Sequence, residues 1–453
     1  MLSPSTAGTA PGVRIRFRDL GELQRDPLTL LGHVQKEHGD VVRISLPFRT
    51  AYLVTDPEIL EQLLLRDHHV FTKSALVRDL RYLLGDGLLT SEGEHWKRVR
   101  KLASPPLTKR AISAYADDMV DDAARFIDEL TLDVPRDVHQ DFMQLTLQIV
   151  TRTLFGASLP PGAEQVSVAL HSAMDYFLHY SRSMKRLIPK WLPIPAHLRM
   201  RRAVKTIDGT LMQIIAARRA ALTEDATDLL SLLLRARDDE GAGLTDVQLR
   251  DEAVTAFVAG HETTALALAY TLMLLATHPE VQTRVHAELD AVLGSRRPTA
   301  ADMGRLSYLD AVLSESLRLY PPAWGMAREA REPYTLGGHL VRKGDEVWTL
   351  VWLVHRDPRW FEEPEAFKPE RWTPELRDKL PRYAYLPFGG GPRICIGSHF
   401  ALMESLLVLA TILQRRSFTT APDHALALTC SMTLRPKHGV RLIPHARDKE
   451  AEC

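Results

Sequence analysis

A chain of 453 residues with 45% hydrophobic and 25% charged side chains is long enough to bury a large core, and its formal net charge of zero argues against a nucleic-acid partner. Three cysteines, Cys395, Cys430 and Cys453, are too few and too scattered for a disulfide framework, which suits a reducing, cytoplasmic setting. Met1 to Pro11 has neither an apolar signal core nor the roughly 20 apolar residues of a bilayer span, so no transmembrane anchor is expected and residues 1–11 are read as disordered. No Gly/Ser-rich linker, repeat or low-complexity block marks a boundary, and residues 1–453 are read as one domain.

In chain order, Val41 to Leu46 and Thr50 to Thr55 are β-rich runs joined by Pro47-Phe48-Arg49, which predicts a hairpin. Asp56-Pro57 then opens a helix through about Arg66. From about Ile112 to Arg318 apolar residues recur at helical spacing. The breakers are Leu159-Pro160-Pro161-Gly162, the stretch from Ile188 to Pro195, and Gly241-Ala242-Gly243. Val341 to Val354 and Leu426 to Ile443 supply the remaining strand-like stretches. The fold class is therefore mainly α with small β-sheets.

Four places carry chemistry. Near the C-terminus, Phe388-Gly389-Gly390-Gly391-Pro392-Arg393-Ile394-Cys395-Ile396-Gly397 sets a lone cysteine behind a glycine-rich turn and ahead of an apolar helical run. Glycines let a backbone approach a flat ligand closely, and amides and a helix start near Cys395 favour its thiolate, the form that binds iron. The alternative is a buried, inert thiol.

Ala253 to Leu275 reads as a long apolar helix interrupted by Ala259-Gly260-His261-Glu262-Thr263-Thr264. Glycine and β-branched threonines are poor helix formers, so a local distortion is expected there, and an acid inside an apolar run needs a partner or water. A solvated face of an amphipathic helix is the competing reading. Glu315 and Arg318 lie three apart on a helix from Leu309 to Leu319, close enough to pair. Trp96 and Arg100 lie four apart within Glu94-His95-Trp96-Lys97-Arg98-Val99-Arg100 and offer an indole and a guanidinium donor suited to a carboxylate.

The ten-residue cysteine stretch matches the haem-binding signature Phe-x-x-Gly-x-Arg-x-Cys-x-Gly, so the chain resembles the cytochrome P-450 superfamily, as a soluble, bacterial-type haem-thiolate monooxygenase. The other landmarks follow in order: Trp-x-x-x-Arg at Trp96 and Arg100, small-Gly-x-acid-Thr-Thr at Ala259 to Thr264, Glu-x-x-Arg at Glu315 and Arg318, and Pro-Glu-Arg at Pro369 to Arg371. The resemblance implies a helix-rich triangular prism, haem b bound through Cys395, and propionate contacts from Trp96, Arg100, Arg328 and Arg393, with Phe388 and Gly397 beside the ligand. It implies an oxygen-binding groove at Ala259 and Gly260, proton delivery by Thr263 and Glu262, and a scaffold network of Glu315, Arg318 and Arg371. No core position departs from the pattern, and Pro392 is a variation that stiffens the loop.

The implied reaction hydroxylates or epoxidises a small hydrophobic molecule, a terpenoid, polyketide or fatty-acid-like compound. Substrate contacts are expected from Ser74 to Leu89, the region Ala173 to Pro195, Val258, Ala323, Trp324, Met326, Ser431 and Met432, each equally explicable as core packing. No flavin, nicotinamide or fused reductase is expected. Electrons would come from a separate ferredoxin or flavodoxin, for which Lys97, Arg98, Arg100 and Lys101 offer a basic patch, although such a run is more often a solvated face. A monomer is expected. The competing classes are a haem-thiolate enzyme doing rearrangement, coupling or peroxide-driven chemistry, and a non-catalytic haem sensor.

Overall fold

The structure, a computed structural model, describes residues 10–16, 19–47, 49–156, 191–422 and 424–447, together with 168–169, 172–173, 176 and 188–189. It divides into two compact units. One is built from Met1–Asp79, Leu317–Cys395 and Leu428–Arg435, the other from Leu80–Ser316, Ile396–Ala427 and Pro436–Cys453.

The first unit is organised by a six-stranded sheet. Its strands run across the sheet as Gly12–Arg14, Val41–Leu46, Arg49–Val54, Glu346–Thr349, Met326–Ala330 and Phe71–Lys73. The predicted hairpin is present, with Val41 opposite Val54 and Leu46 opposite Arg49, because alternating apolar residues place Val42 and Ile44 on a buried face. Pro11, assigned above to a disordered end, has its carbonyl bonded to the Arg43 amide at 2.8 Å, and Ala10 is buried; residues 1–9 lie outside the described set. The Asp56-Pro57 helix forms over Pro57–Glu61, with the Asp56 carboxylate accepting the Glu58 and Ile59 amides, and then widens into a π-type turn over Gln62–Arg66. Val341 to Val354 is not one strand. It resolves into a strand at Glu346–Thr349 and a helical turn at Val351–Val354, which tucks Val351 and Val354 into the core beneath the sheet.

The second unit is helical around Asp246–Thr277, the central helix. A capping box starts it: the Thr245 hydroxyl accepts the Gln248 amide and the Gln248 side chain accepts the Thr245 amide. The helix Val138–Phe155 packs along it, while Pro195–Ala220 and Ser398–Leu413 also contact it. By length and composition the central helix alone, among the described residues, is long and apolar enough to cross a membrane, yet most of that apolar run is buried inside the unit. A three-stranded sheet of Arg416–Thr420, Arg441–Ala446 and Arg136–Asp137 completes the unit. Of the predicted breakers, Gly241-Ala242-Gly243 lies in the connection between helices, and Leu159 to Gly162 falls outside the described residues.

Candidate active site

The expected interruption of the central helix does not occur: Ala259 to Thr264 are part of one continuous α-helix. Packing overrides the local propensities. An added Cβ at Gly260 would meet a methyl of Val150 at 3.1 Å, so this glycine lets the helix Val138–Phe155 approach closely. The Thr263 hydroxyl donates to the Ala259 carbonyl at 2.8 Å and the Thr264 hydroxyl to Gly260 at 3.0 Å, satisfying both side chains within the helix.

From Asp251 to Ala276 every residue of this helix is buried except Ala256, Ala259, Gly260 and Thr263. Their spacing places all four on one face, so a buried helix carries one accessible strip lined by small side chains and a single hydroxyl. Glu262 and Val258 are buried and lie off that strip. On the helix Gly93–Ala103 of the same unit, Trp96 is buried and the Arg100 guanidinium lies 5.8 Å from its ring centroid. The basic run around them is charge-balanced. Lys97 pairs with Glu94, Arg98 with Asp238 and Lys101 with Asp239, each at 2.7 Å, which fits the reading of this run as a solvated face.

In the first unit the cysteine loop is shaped by glycine. Gly389 and Gly391 have φ of +72° and +66°, and a Cβ on Gly391 would sit 1.7 Å from the Leu64 carbonyl oxygen. The Cys395 amide donates to the Phe388 carbonyl at 2.9 Å, and Cys395 itself is exposed whereas Cys430 is buried. The inert-thiol reading therefore suits Cys430, not Cys395. Phe388, Arg393 and Gly397 flank it, each partly accessible. Arg328 is also partly accessible, on the strand Met326–Ala330.

Arg318 and Glu315 have no exposed surface. The Arg318 guanidinium donates to the carbonyls of His355 at 2.9 Å, Pro364 at 2.6 Å and Ala366 at 3.1 Å. Arg371 reaches the Glu362 carbonyl at 2.7 Å and shares the Ala366 carbonyl with Arg318 at 3.4 Å. Among the expected substrate contacts, the Trp324 indole donates to the Ser431 carbonyl at 3.0 Å and its ring packs against the sheet core. Met326 packs against a second cluster, Ser431 is buried, Ala323 is exposed and Met432 is partly accessible. Phe177 and Leu178 lie outside the described residues.

Two buried groups escaped the sequence reading. His355 Nε2 accepts the Leu386 amide at 2.8 Å, so its proton sits on Nδ1; burial, with the Arg318 charge beside it, holds its pKa down to about 3. Glu404, on the helix Ser398–Leu413, has no exposed surface, and neither carboxyl oxygen has a hydrogen-bond partner among the described residues. The nearby Thr264 hydroxyl is committed to Gly260. Burial pushes the Glu404 carboxyl well above its ordinary value, and Asp122 adds a like charge in the same direction. A lone acid in an otherwise apolar helical run was the available signal.

The cytochrome P450 family profile matches residues 17–442. The chain is 37% identical over 426 residues to Cyclooctat-9-en-7-ol 5-monooxygenase of Streptomyces melanosporofaciens, covering 93% of this chain and 92% of that protein. It is 34% identical over 427 residues to Cyclooctatin synthase of the same organism, with 94% and 92% covered. Pentalenene oxygenase of Streptomyces avermitilis is 32% identical over 429 residues, with 92% of each chain covered. The chain belongs to the cytochrome P450 family, and within it to the monooxygenases.

Glu404 generates a pH prediction. With its folded pKa raised, the native protein keeps a proton that the unfolded chain releases above the ordinary carboxylate range, so this group's contribution to stability falls as pH rises through that window. Glu404→Gln should therefore melt higher than wild type at about pH 8, with the difference shrinking towards about pH 5. Thermal unfolding across that range decides it; a variant less stable at the alkaline end contradicts the assignment.

Proposed function

We propose that this protein is a haem-thiolate monooxygenase, a single haem domain over residues 1–453, that inserts one oxygen atom of dioxygen into a cyclic terpenoid. The single observation that carries the reading is the exposed Cys395 thiol on a loop where Gly390 and Gly391 leave no room for a side chain. Its donor set fits haem b. Among the described residues no group of three or more His, Cys, Asp or Glu side chains is arranged to hold a metal ion, so a lone thiol suits an iron whose other ligands come from a macrocycle.

Cys395 would hold the iron, on a loop fixed by the bond from its amide to the Phe388 carbonyl. Trp96, Arg100, Arg328 and Arg393 supply donors of the type that bind propionate carboxylates. When bound, the haem group would supply oxygen activation, which a thiolate ligand favours. Ala259 and Gly260 leave space on the accessible strip for a small ligand. Thr263 holds a proton at Oγ1 on that strip, where it can exchange its bond to Ala259 for one to a guest, and Glu262 is the acid next to it in sequence. Arg318 and Arg371 fix the backbone carbonyls of His355 and of residues 362–366, and Glu315 is the buried acid three residues before Arg318. A separate ferredoxin- or flavodoxin-type protein would supply the electrons.

The terpenoid assignment is supported by the relatives' names, Cyclooctat-9-en-7-ol 5-monooxygenase and Pentalenene oxygenase. Titrating the haem protein with cyclic terpene hydrocarbons and alcohols, macrolides and fatty acids should shift the Soret band from low to high spin with the terpenoids. A shift confined to macrolides or fatty acids contradicts the substrate class. Thr263→Ala should keep its haem while diverting reducing equivalents to hydrogen peroxide; tight coupling of electrons to product in that variant would sink the proton-delivery role.

A further inference from the structure

One turn before the accessible strip, the central helix carries two adjacent buried carboxylates, Asp251 and Glu252. Neither belongs to the site described above. Asp251 Oδ2 accepts the Asp86 amide at 2.8 Å, and Glu252 Oε2 accepts the Leu88 amide at 3.2 Å. Both amides lie on the loop that follows the short helix Arg81–Leu84. The loop approaches the helix closely because it has glycines where it touches. A Cβ at Gly87 would lie 2.3 Å from the Thr255 hydroxyl and 2.6 Å from the Asp251 carbonyl oxygen. A Cβ at Gly85, whose φ is +62°, would lie 2.0 Å from the Asp251 carboxylate.

The loop is also closed on itself. The Thr90 hydroxyl donates to the Gly85 carbonyl at 2.7 Å and contacts the Gly87 carbonyl at 3.1 Å. The Gly85 and Gly87 carbonyls thus find a donor inside the loop, while the Asp86 and Leu88 amides are taken by the two helix carboxylates. Arg250 extends the junction, donating to the Leu83 carbonyl at 2.9 Å, to Asp251 at 2.9 Å, and to Asp208 on the helix Pro195–Ala220 at 2.8 Å. Three segments meet at one set of charges. The loop holds Leu88 and Leu89, neither of them buried, and Glu252 lies four residues, about 6 Å along the axis, ahead of Ala256 on the strip.

We propose that Asp251 and Glu252 are positioning residues that latch the loop Gly85–Leu89 to the central helix and thereby set which guests reach the accessible strip. They act through the backbone of the loop and not on the guest. The size-selection part rests on the haem-monooxygenase reading; the latch itself does not.

The test uses the purified full-length haem protein with two readouts. Amide hydrogen exchange over residues 84–91 should be protected in wild type and in Asp251→Asn and Glu252→Gln, which keep an acceptor oxygen. In Asp251→Ala and Glu252→Ala, exchange there should accelerate roughly tenfold or more, with the helix Val138–Phe155 unchanged. Gly87→Ala, which leaves both carboxylates in place, should loosen the same peptide. The second readout is the Soret shift on binding imidazole and clotrimazole, a small and a bulky azole. The Ala variants should lose wild-type discrimination between them, and the Asn and Gln variants should keep it.

Unchanged exchange in the Ala variants overturns the latch whatever the function. Faster exchange with discrimination intact overturns the selective role. A wild-type protein with no Soret band would fail the functional reading, while the exchange arm still decides the latch.

Discussion

The guanidinium of Arg318, with no exposed surface, has to find acceptors for its donors inside the protein, and it finds them in the carbonyls of His355, Pro364 and Ala366. Leaving such a charge unsatisfied would cost several kcal/mol, roughly the margin on which a domain folds. The consequence runs outward through hydrogen bonds. His355, anchored by its carbonyl, accepts the Leu386 amide on its ring; the Leu386 carbonyl accepts the Gly389 amide at 3.0 Å; the Phe388 carbonyl accepts the Cys395 amide at 2.9 Å. A side chain far from the thiol in sequence thus fixes the loop that presents it. Because His355 stays neutral, its Nε2 remains an acceptor across the physiological range.

The second unit solves a different problem, how to keep an accessible face on a helix that is otherwise core. Small residues at Ala256, Ala259 and Gly260 leave the strip open, while Gly260 also accommodates Val150 of the neighbouring helix. One glycine therefore serves packing and access together, which explains a residue that costs about 1 kcal/mol of helix propensity. Glu404 and the Asp251–Glu252 pair show that this unit carries buried acids beyond Glu262, handled in two ways. Burial raises the pKa of Glu404 well above its ordinary value, and the other two carboxylates accept backbone amides.

Much of this was legible in the sequence. The hairpin showed as alternation, the cysteine loop as glycines around one thiol, and the helical class as periodicity from Ile112 to Arg318. What the sequence did not show depends on contacts between distant segments. The local distortion expected at Ala259 to Thr264 followed from propensity, and packing against Val138–Phe155 outweighed it. The helical turn at Val351–Val354 was read as strand because its β-branched residues suit either form when buried. His355 and Asp251 look like ordinary surface-type residues until the Leu386 and Asp86 amides appear opposite them, and the ion pairs of Arg98 and Lys101 depend on Asp238 and Asp239, about 140 residues further along the chain.

The central claim is that Cys395, and no other sulfur of this chain, holds the iron. Its most direct test is the Soret band of the ferrous carbon monoxide complex, which is strongly red-shifted when the opposite ligand is a thiolate, measured in wild type, Cys395→Ser and Cys430→Ser. The account predicts the red-shifted band in wild type and Cys430→Ser and its loss in Cys395→Ser. A red-shifted band that survives in Cys395→Ser would contradict it.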